Sequence, residues 1–334
     1  MKNKKYLVTG GTGFIGNALV RSLVKKGHQV RVLDNNFRGV TDRLNDVLKK
    51  IELVEADVRD VETVQKACKG VDSVIHLAFI NGTEFFYKKP ELVLEVGVKG
   101  IINVIDGCIK ENVKELILAS SSEVYQTPNV VPTDETIPMF IPDPLNPRYS
   151  YAGGKIISEL MTINYGRKYF DKAIIFRPHN VYGPDMGWEH VVPQFVMRMK
   201  EICEKTQDER VKFPIKGTGK ETRAFVFIDD FIEGLMIVLE KGEHLRIYNI
   251  GTMEEISVEK VAIEVGKYFE REIIIVPGEP ARGGTPRRCP DITKLKKLGY
   301  NPKIPFKKGL QIAAKWYDEN AHKKPKMFKG DHFL

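Results

Sequence analysis

The sequence predicts an α/β fold: a doubly wound parallel sheet followed by a smaller C-terminal lobe. Three observations predict it. Short, nearly continuous apolar runs alternate with helical patterns through the first half of the chain, as strands covered on both faces do. A glycine-rich turn joins the first such run to the first helical pattern. After Arg177 the alternation breaks, and helices separated by irregular segments take over.

Tyr6–Thr9 reads as the first strand, and residues 14–26 as a helix with Phe14, Ile15, Ala18, Leu19 and Leu23 on one face. Further strands are expected at 29–34, 51–55, 73–77, 115–120 and 173–176, with helices near 61–68, 90–111 and 149–169. Six prolines punctuate residues 126–148, which predicts a long irregular loop, and such loops tend to cover sites. Beyond Arg177, helices are expected at 191–205, at 228–240 and from Ser257, a good N-cap. The expected division is a nucleotide-binding unit over 1–178, to which 225–250 returns. A substrate-binding lobe takes 179–224 and 251–320, and 321–334 form a basic tail.

The chain has 334 residues, 42% of them hydrophobic and 29% charged, enough for a large core. Its net charge of +8 is spread along the chain in lysine pairs such as Lys25–Lys26 and Lys49–Lys50. A solvated basic surface is therefore expected rather than nucleic-acid binding. Four cysteines without CxxC spacing predict neither a disulfide framework nor a metal site. No signal sequence or membrane-length apolar run is present, so a cytoplasmic protein is expected.

Thr9-Gly10-Gly11-Thr12-Gly13-Phe14-Ile15-Gly16 follows a strand and opens a helix. Gly10, Gly13 and Gly16 permit a tight turn and close approach of backbone to a pyrophosphate, which the free N–H groups of the helix then face. Asp34 ends the next strand, eighteen residues after Gly16. A carboxylate there accepts from both ribose hydroxyls of NAD and repels the extra phosphate of NADP, although Arg38 lies nearby. This is a Rossmann-like arrangement, and the expected cofactor is NAD. Phe14, Ile15, Asn35, Asp57 and Val58 flank the expected site. Asp57 reads equally well as an ordinary loop acid.

Tyr151 and Lys155 stand four apart on an expected helix and so share a face. An ammonium near a phenol favours the phenolate, lowering its pKa from about 10. Ser120-Ser121-Ser122-Glu123-Val124-Tyr125 ends a strand of the same unit, where ligands of such folds bind.

Here the chain resembles the extended short-chain dehydrogenase/reductases, specifically the NAD-dependent nucleotide-sugar epimerases and dehydratases. The resemblance covers roughly residues 5–315. It rests on TGGTGFIG at 9–16, ADVRD at 56–60, HLA at 76–78, SSSEVY at 120–125, YAGGK at 151–155, RPHNVYGP at 177–184, TRAFVFIDD at 222–230 and RRCPDITK at 287–294. It implies that Ser121 binds the reacting sugar oxygen and that Tyr151 is the base, with Lys155 tuning it and holding the nicotinamide ribose. It implies that Leu77 and Ala78 line the cofactor site. Ser122, Asn180, Val192, Arg223 and Arg282 would meet a nucleoside-diphosphate sugar. A homodimer through helices 90–111 and 149–169 is also implied. Gly97 stands where the family often has Asn, and Gln126 where Gly is common.

The implied reaction starts with oxidation at the sugar C4, after which three outcomes branch. They are 4-epimerisation, loss of water to a 4-keto-6-deoxy sugar, and decarboxylation of a uronate. Glu123 bears on the branch, since a carboxyl there can act as a second acid or base; an ion-paired loop acid is the competing reading. Arg288 sits where the decarboxylases carry a functional arginine. A net keto-sugar reductase and a catalytically silent NAD-binding module are the remaining alternatives.

Overall fold

A computed structural model describes residues 3–279 and 283–325. The first half alternates as expected: β1 (Lys5–Thr9), α1 (Phe14–Lys25), β2 (Gln29–Asp34), β3 (Ile51–Glu55), α2 (Val61–Cys68), β4 (Ser73–His76), α3 (Thr83–Lys88), α4 (Pro90–Lys110), β5 (Glu115–Ala119), α5 (Ser150–Tyr169) and β6 (Lys172–Pro178). Then follow β7 (Val181–Tyr182), α6 (Val191–Lys205), β8 (Arg210–Pro214), β9 (Thr222–Ala224), β10 (Val226–Phe227), α7 (Ile228–Lys241) and β11 (Arg246–Ile250). The chain continues through β12 (Glu255–Ser257), α8 (Val258–Tyr268), β13 (Glu272–Val276), β14 (Arg287–Arg288), α9 (Thr293–Lys296) and α10 (Phe306–Glu319).

Seven parallel strands form the central sheet in the order β11-β6-β5-β4-β1-β2-β3. The order reverses between β1 and β4, and the crevice at such a switch point is where ligands of open α/β sheets bind. The strands are buried because helices cover both faces. Leu7, Val74, Leu116 and Ile175 point into one core, Val8, Ile75, Ile117 and Phe176 into the other. This one-in, other-in alternation is what a sheet buried on both sides requires. Cys68 and Cys108 are buried in the first of these cores.

β11 lies beside β6, so the segment before it returns to the sheet after a long excursion. The core on the α1 side runs without interruption into β8, α8 and α10, so the C-terminal elements pack on the sheet unit rather than apart from it. Ser257 caps α8 as expected, accepting from the Lys260 backbone N–H at 3.1 Å. Residues 126–148 form no helix or strand until a short turn at Pro147–Tyr149. Among the described residues, no helix is long and apolar enough to cross a membrane.

Candidate active site

The strand ends at the switch point open into a cavity of about 560 Å³. Its first wall is the glycine turn. Gly10 has φ +74°, and a Cβ there would stand 2.8 Å from the Ala78 backbone nitrogen. A Cβ on Gly16 would run into the Gly10 carbonyl. The cradle thus tolerates no side chains where a pyrophosphate would lie. Gly13 caps α1 without a side-chain hydrogen bond, and no acid stands in the first turn, so the helix end keeps its positive field.

Asp34 ends β2 with its carboxylate held in place: Oδ2 accepts from the Thr12 N–H at 3.0 Å and Oδ1 from the Asn36 N–H at 2.9 Å. Each oxygen keeps a lone pair for a ribose hydroxyl. Arg38, which bore on NADP, is committed elsewhere: its guanidinium pairs with Glu189 and lies 5.2 Å from the centre of the Phe85 ring. Asn35 donates to Asp57 at 2.9 Å, and Arg59 grips Asp57 with two bonds of 2.9 and 2.8 Å. The Arg59 bonds hold the Asp57 carboxyl below its ordinary range. Val58, Leu77, Ala78, Phe14 and Ile15 complete this half of the cavity. These features fit NAD.

The other half is built by β5 and α5. Ser121 caps the turn after β5, its Oγ accepting from the Glu123 N–H at 3.1 Å. Ser121 and Tyr151 line the cavity together, and the serine hydroxyl acts against burial in setting the phenol's pKa. Lys155, one turn on, donates to the Ala119 carbonyl at 2.7 Å. The serine, phenol and ammonium predicted from separate segments therefore meet at one strand end.

One expectation needs correction. Tyr151 is not tuned downward here; burial pushes its hydroxyl well up. The phenol stacks on Phe86 at 5.0 Å and meets Phe79 edge-on at 5.1 Å, and these apolar rings disfavour a phenolate. Burial likewise drives the Lys155 ammonium down to about 7.

Glu123 is not a free acid. Arg288 binds Oε1 at 2.7 Å, and Arg148 stands 3.9 Å from Oε2. Burial would raise this carboxyl, but Arg288, Arg148 and Arg223 outweigh it and hold it below the usual range. Donors remain unspent around it: Nε of Arg148, Nε of Arg288 and Nδ2 of Asn180 are buried and have no hydrogen-bond partner among the described residues. All three residues line the cavity, as does Ser122. Buried donors without partners are uncommon in folded proteins, and these three belong to residues that line the cavity.

Val192, expected near the sugar nucleotide, lies on the core side of α6. It is 1% exposed, packs in the hydrophobic core through α6 and does not line the cavity. The apolar face of an amphipathic helix turns to the core, and Val192 lies on it. Arg223 stands behind the lining, donating to the Thr222 carbonyl at 2.7 Å. Arg282 lies outside the described residues. His190 lines the cavity, and burial drives its imidazole down to about 4, so it stays neutral. His76 and His179 are buried, bonded to Thr9 and Asn249.

Three participants had no sequence signal of their own. Arg148 precedes Tyr151 by three residues, but nothing in the spacing links it to Glu123. Phe79 is an ordinary apolar residue after a strand. Glu159 follows Lys155 by four and forms a buried pair with Arg177 at 2.7 Å.

The buried lysine gives a stability prediction. Its folded pKa of about 7 lies below the ordinary 10.5, a cost on the order of 5 kcal/mol. The unfolded chain binds the extra proton between these values, so wild-type stability rises with pH from about 7 to 10.5. Cofactor-free Lys155→Met is expected to melt a few °C above wild type at pH 7. The gap should narrow toward pH 10. Equal melting at both pH values would contradict it.

Comparison with known proteins agrees with this geometry. The sequence profile of the NAD dependent epimerase/dehydratase family matches residues 6–251. The chain is 29% identical over 326 residues to a UDP-N-acetyl-alpha-D-glucosaminuronate decarboxylase of Bacillus cytotoxicus, covering 95% of this chain and 98% of that one. It is 33% identical to a putative UDP-glucose 4-epimerase of Methanocaldococcus jannaschii, covering 94% and 98%. The crystal structure of DesIV, a dTDP-glucose 4,6-dehydratase from Streptomyces venezuelae with NAD bound, superposes with a TM-score of 0.84 at 27% identity, covering 96% and 98%. The match over residues 6–251 and the Rossmann-like sheet together place the chain in the NAD-dependent epimerase/dehydratase family, whose similar members are enzymes of nucleotide sugars.

Proposed function

We propose that this enzyme decarboxylates a nucleoside-diphosphate uronate after transient oxidation at C4. The observation that carries the branch is the Glu123–Arg288 pair, with Arg148 and its unspent Nε beside it. Loss of water across C5–C6 needs an acid for the leaving hydroxyl. Glu123 is held as a carboxylate by its arginines, and its neighbour is Ser122, which is no acid. Decarboxylation needs no such acid. It needs cations to seat the C6 carboxylate, and planar guanidinium groups pair with carboxylates in two-bond geometry.

NAD, when bound in the cleft, supplies the hydride acceptor at C4 and later returns the hydride. The chain does the rest. As the phenolate, which burial disfavours and the Lys155 ammonium stabilises, Tyr151 Oη takes the C4 hydroxyl proton. Ser121 Oγ holds the C4 oxygen. With a ketone at C4, the C5–C6 bond breaks, carbon dioxide leaves, and its electron pair remains on C5 as an enolate. Ser121 and Tyr151 bond the enolate oxygen. A proton drawn from water then adds at C5, and Tyr151 returns its proton to the C4 oxygen. Asp34, with Arg38 tied to Glu189, favours NAD over NADP, and a resident, recycled cofactor follows from the redox-neutral balance.

The test is incubation with UDP-, GDP-, CDP- and dTDP-linked hexoses and hexuronates in deuterated water, read by NMR. Release of carbon dioxide with deuterium at C5 is expected from a uronate. A C4 epimer of a neutral hexose, or a C6 methyl group, with no reaction on uronates would refute decarboxylation. Glu123→Gln, which loosens the Arg288 and Arg148 guanidinium groups that would seat the C6 carboxylate, is expected to slow carbon dioxide release about 10²-fold while C4 oxidation persists. Equal slowing of both steps would remove Glu123 from the second one.

The enzyme is further proposed to act as a homodimer. Leu94 and Ile102 of α4 and Ile157 and Leu160 of α5 are exposed apolar side chains on two helices packed together. A second copy of the chain covers such a face by self-complementarity. All four cysteines are free, which fits a reducing compartment such as the cytoplasm.

A further inference from the structure

Phe79 follows β4 and lines the cavity beside the reacting pair. Its ring enters a notch that two glycines leave open. A Cβ on Gly154 would stand 2.8 Å from the tip of the ring, and one on Gly97 would overlap the ring itself. Gly97 belongs to α4 and Gly154 to α5, so the ring is keyed between the two helices under the site. One face of the ring lies 4.1 Å from Lys155 Nζ. Its other contact is with Tyr151, centroids 5.1 Å apart and planes at 81°. The negative face of an aromatic ring attracts an ammonium, most strongly where water is excluded, and Lys155 is 3% exposed. An edge-to-face contact also fixes the direction of the phenol ring.

We infer that Phe79 is a positioning residue for Lys155 and Tyr151, holding the ammonium over its face and the phenol against its edge, a role that requires glycine at both 97 and 154. Glycine at 97 is then the other half of one device. A ring cannot enter the notch unless both helices omit their side chains there. The inference rests on Tyr151 and Lys155 being the reacting pair.

Phe79→Leu tests it, because leucine refills much of the notch but has no π face. The expected result is a kcat lowered about tenfold to a hundredfold, with KM and bound NAD unchanged. Gly97→Ala, whose methyl group displaces the ring, should reproduce that loss in the wild-type background. In a Phe79→Ala background, where the notch is empty, the same substitution should cost nothing further. Wild-type kcat in Phe79→Leu overturns the inference, as does a loss confined to KM or matched by loss of NAD. If Phe79→Leu does not fold, Phe79→Met, flexible enough to fill the gap, is read by the same criteria. Tyr151→Phe is assayed alongside. Activity in that variant would sink the underlying assignment, whereas a dead Tyr151→Phe with an unimpaired Phe79→Leu sinks only this one.

Discussion

Tyr151→Phe is expected to stop turnover while the protein keeps its fold, its NAD and its nucleotide sugar. The substitution removes one oxygen, and that oxygen is the proton acceptor at C4. General-base catalysis is worth about 10² to 10⁴ in rate, and a base with no second candidate in place loses the upper end of that range. Tyr149, the neighbouring phenol, cannot take over: it lies outside the helical turn that sets Tyr151 against Ser121 and Lys155. The ring itself remains, stacked on Phe86 and edge-on to Phe79, so packing changes little. The measurement is a single turnover followed by nicotinamide absorbance, with bound NAD and melting temperature as controls. A variant that reduces its cofactor at the wild-type rate would end the assignment of Tyr151 as base.

Glu159→Gln is expected to be the most damaging single change to stability near the site. Glu159 and Arg177 have side chains 0% and 2% exposed, bonded at 2.8 Å through Nε and 2.7 Å through Nη2. Arg177 also donates to the Tyr125 hydroxyl at 2.6 Å, and Ser120 Oγ donates to Glu159. Removing the carboxylate leaves a guanidinium buried without its countercharge, which costs about 3–5 kcal/mol. A fall in Tm of roughly 10 °C is expected. The paired change Glu159→Leu with Arg177→Met should cost less than Glu159→Gln alone, because it buries no orphan charge. Wild-type melting of Glu159→Gln would show that the pair carries no such weight. Because this network underlies Ser120 and Tyr125, which flank Ser121, Glu159→Gln should also lower kcat.

The glycine turn, Asp34 and the sheet strands could be read in advance because each is a local pattern. Gly10 sits at positive φ and Gly16 has no room for a Cβ, while a strand buried on both faces favours apolar residues. Tyr151 and Lys155 were legible for the same reason, since one helical turn places them together. α5 resisted a normal reading. Its inward face carries Tyr151, Lys155, Glu159 and Thr162, while Ile157 and Leu160 face outward. That inverts the usual amphipathic rule, so periodicity alone could not say which side meets the core. Val192 shows the opposite case. Its helix obeys the rule, and the residue went to the core.

The sequence by itself determined the fold class and the cofactor and picked out Ser121, Tyr151 and Lys155 as candidates, because these depend on residues close together or on backbone geometry that only certain residues permit. Tertiary structure decided what Glu123 is. Its partners Arg148, Arg223 and Arg288 come from a loop, a short strand and another strand far along the chain. A carboxylate's charge state depends on every neighbour within a few ångströms, whatever its place in the sequence. The same holds for Phe79, whose seat exists only where α4 and α5 both lack a side chain. Charge state and packing are properties of position in space, and the choice among the family's chemistries rests on them.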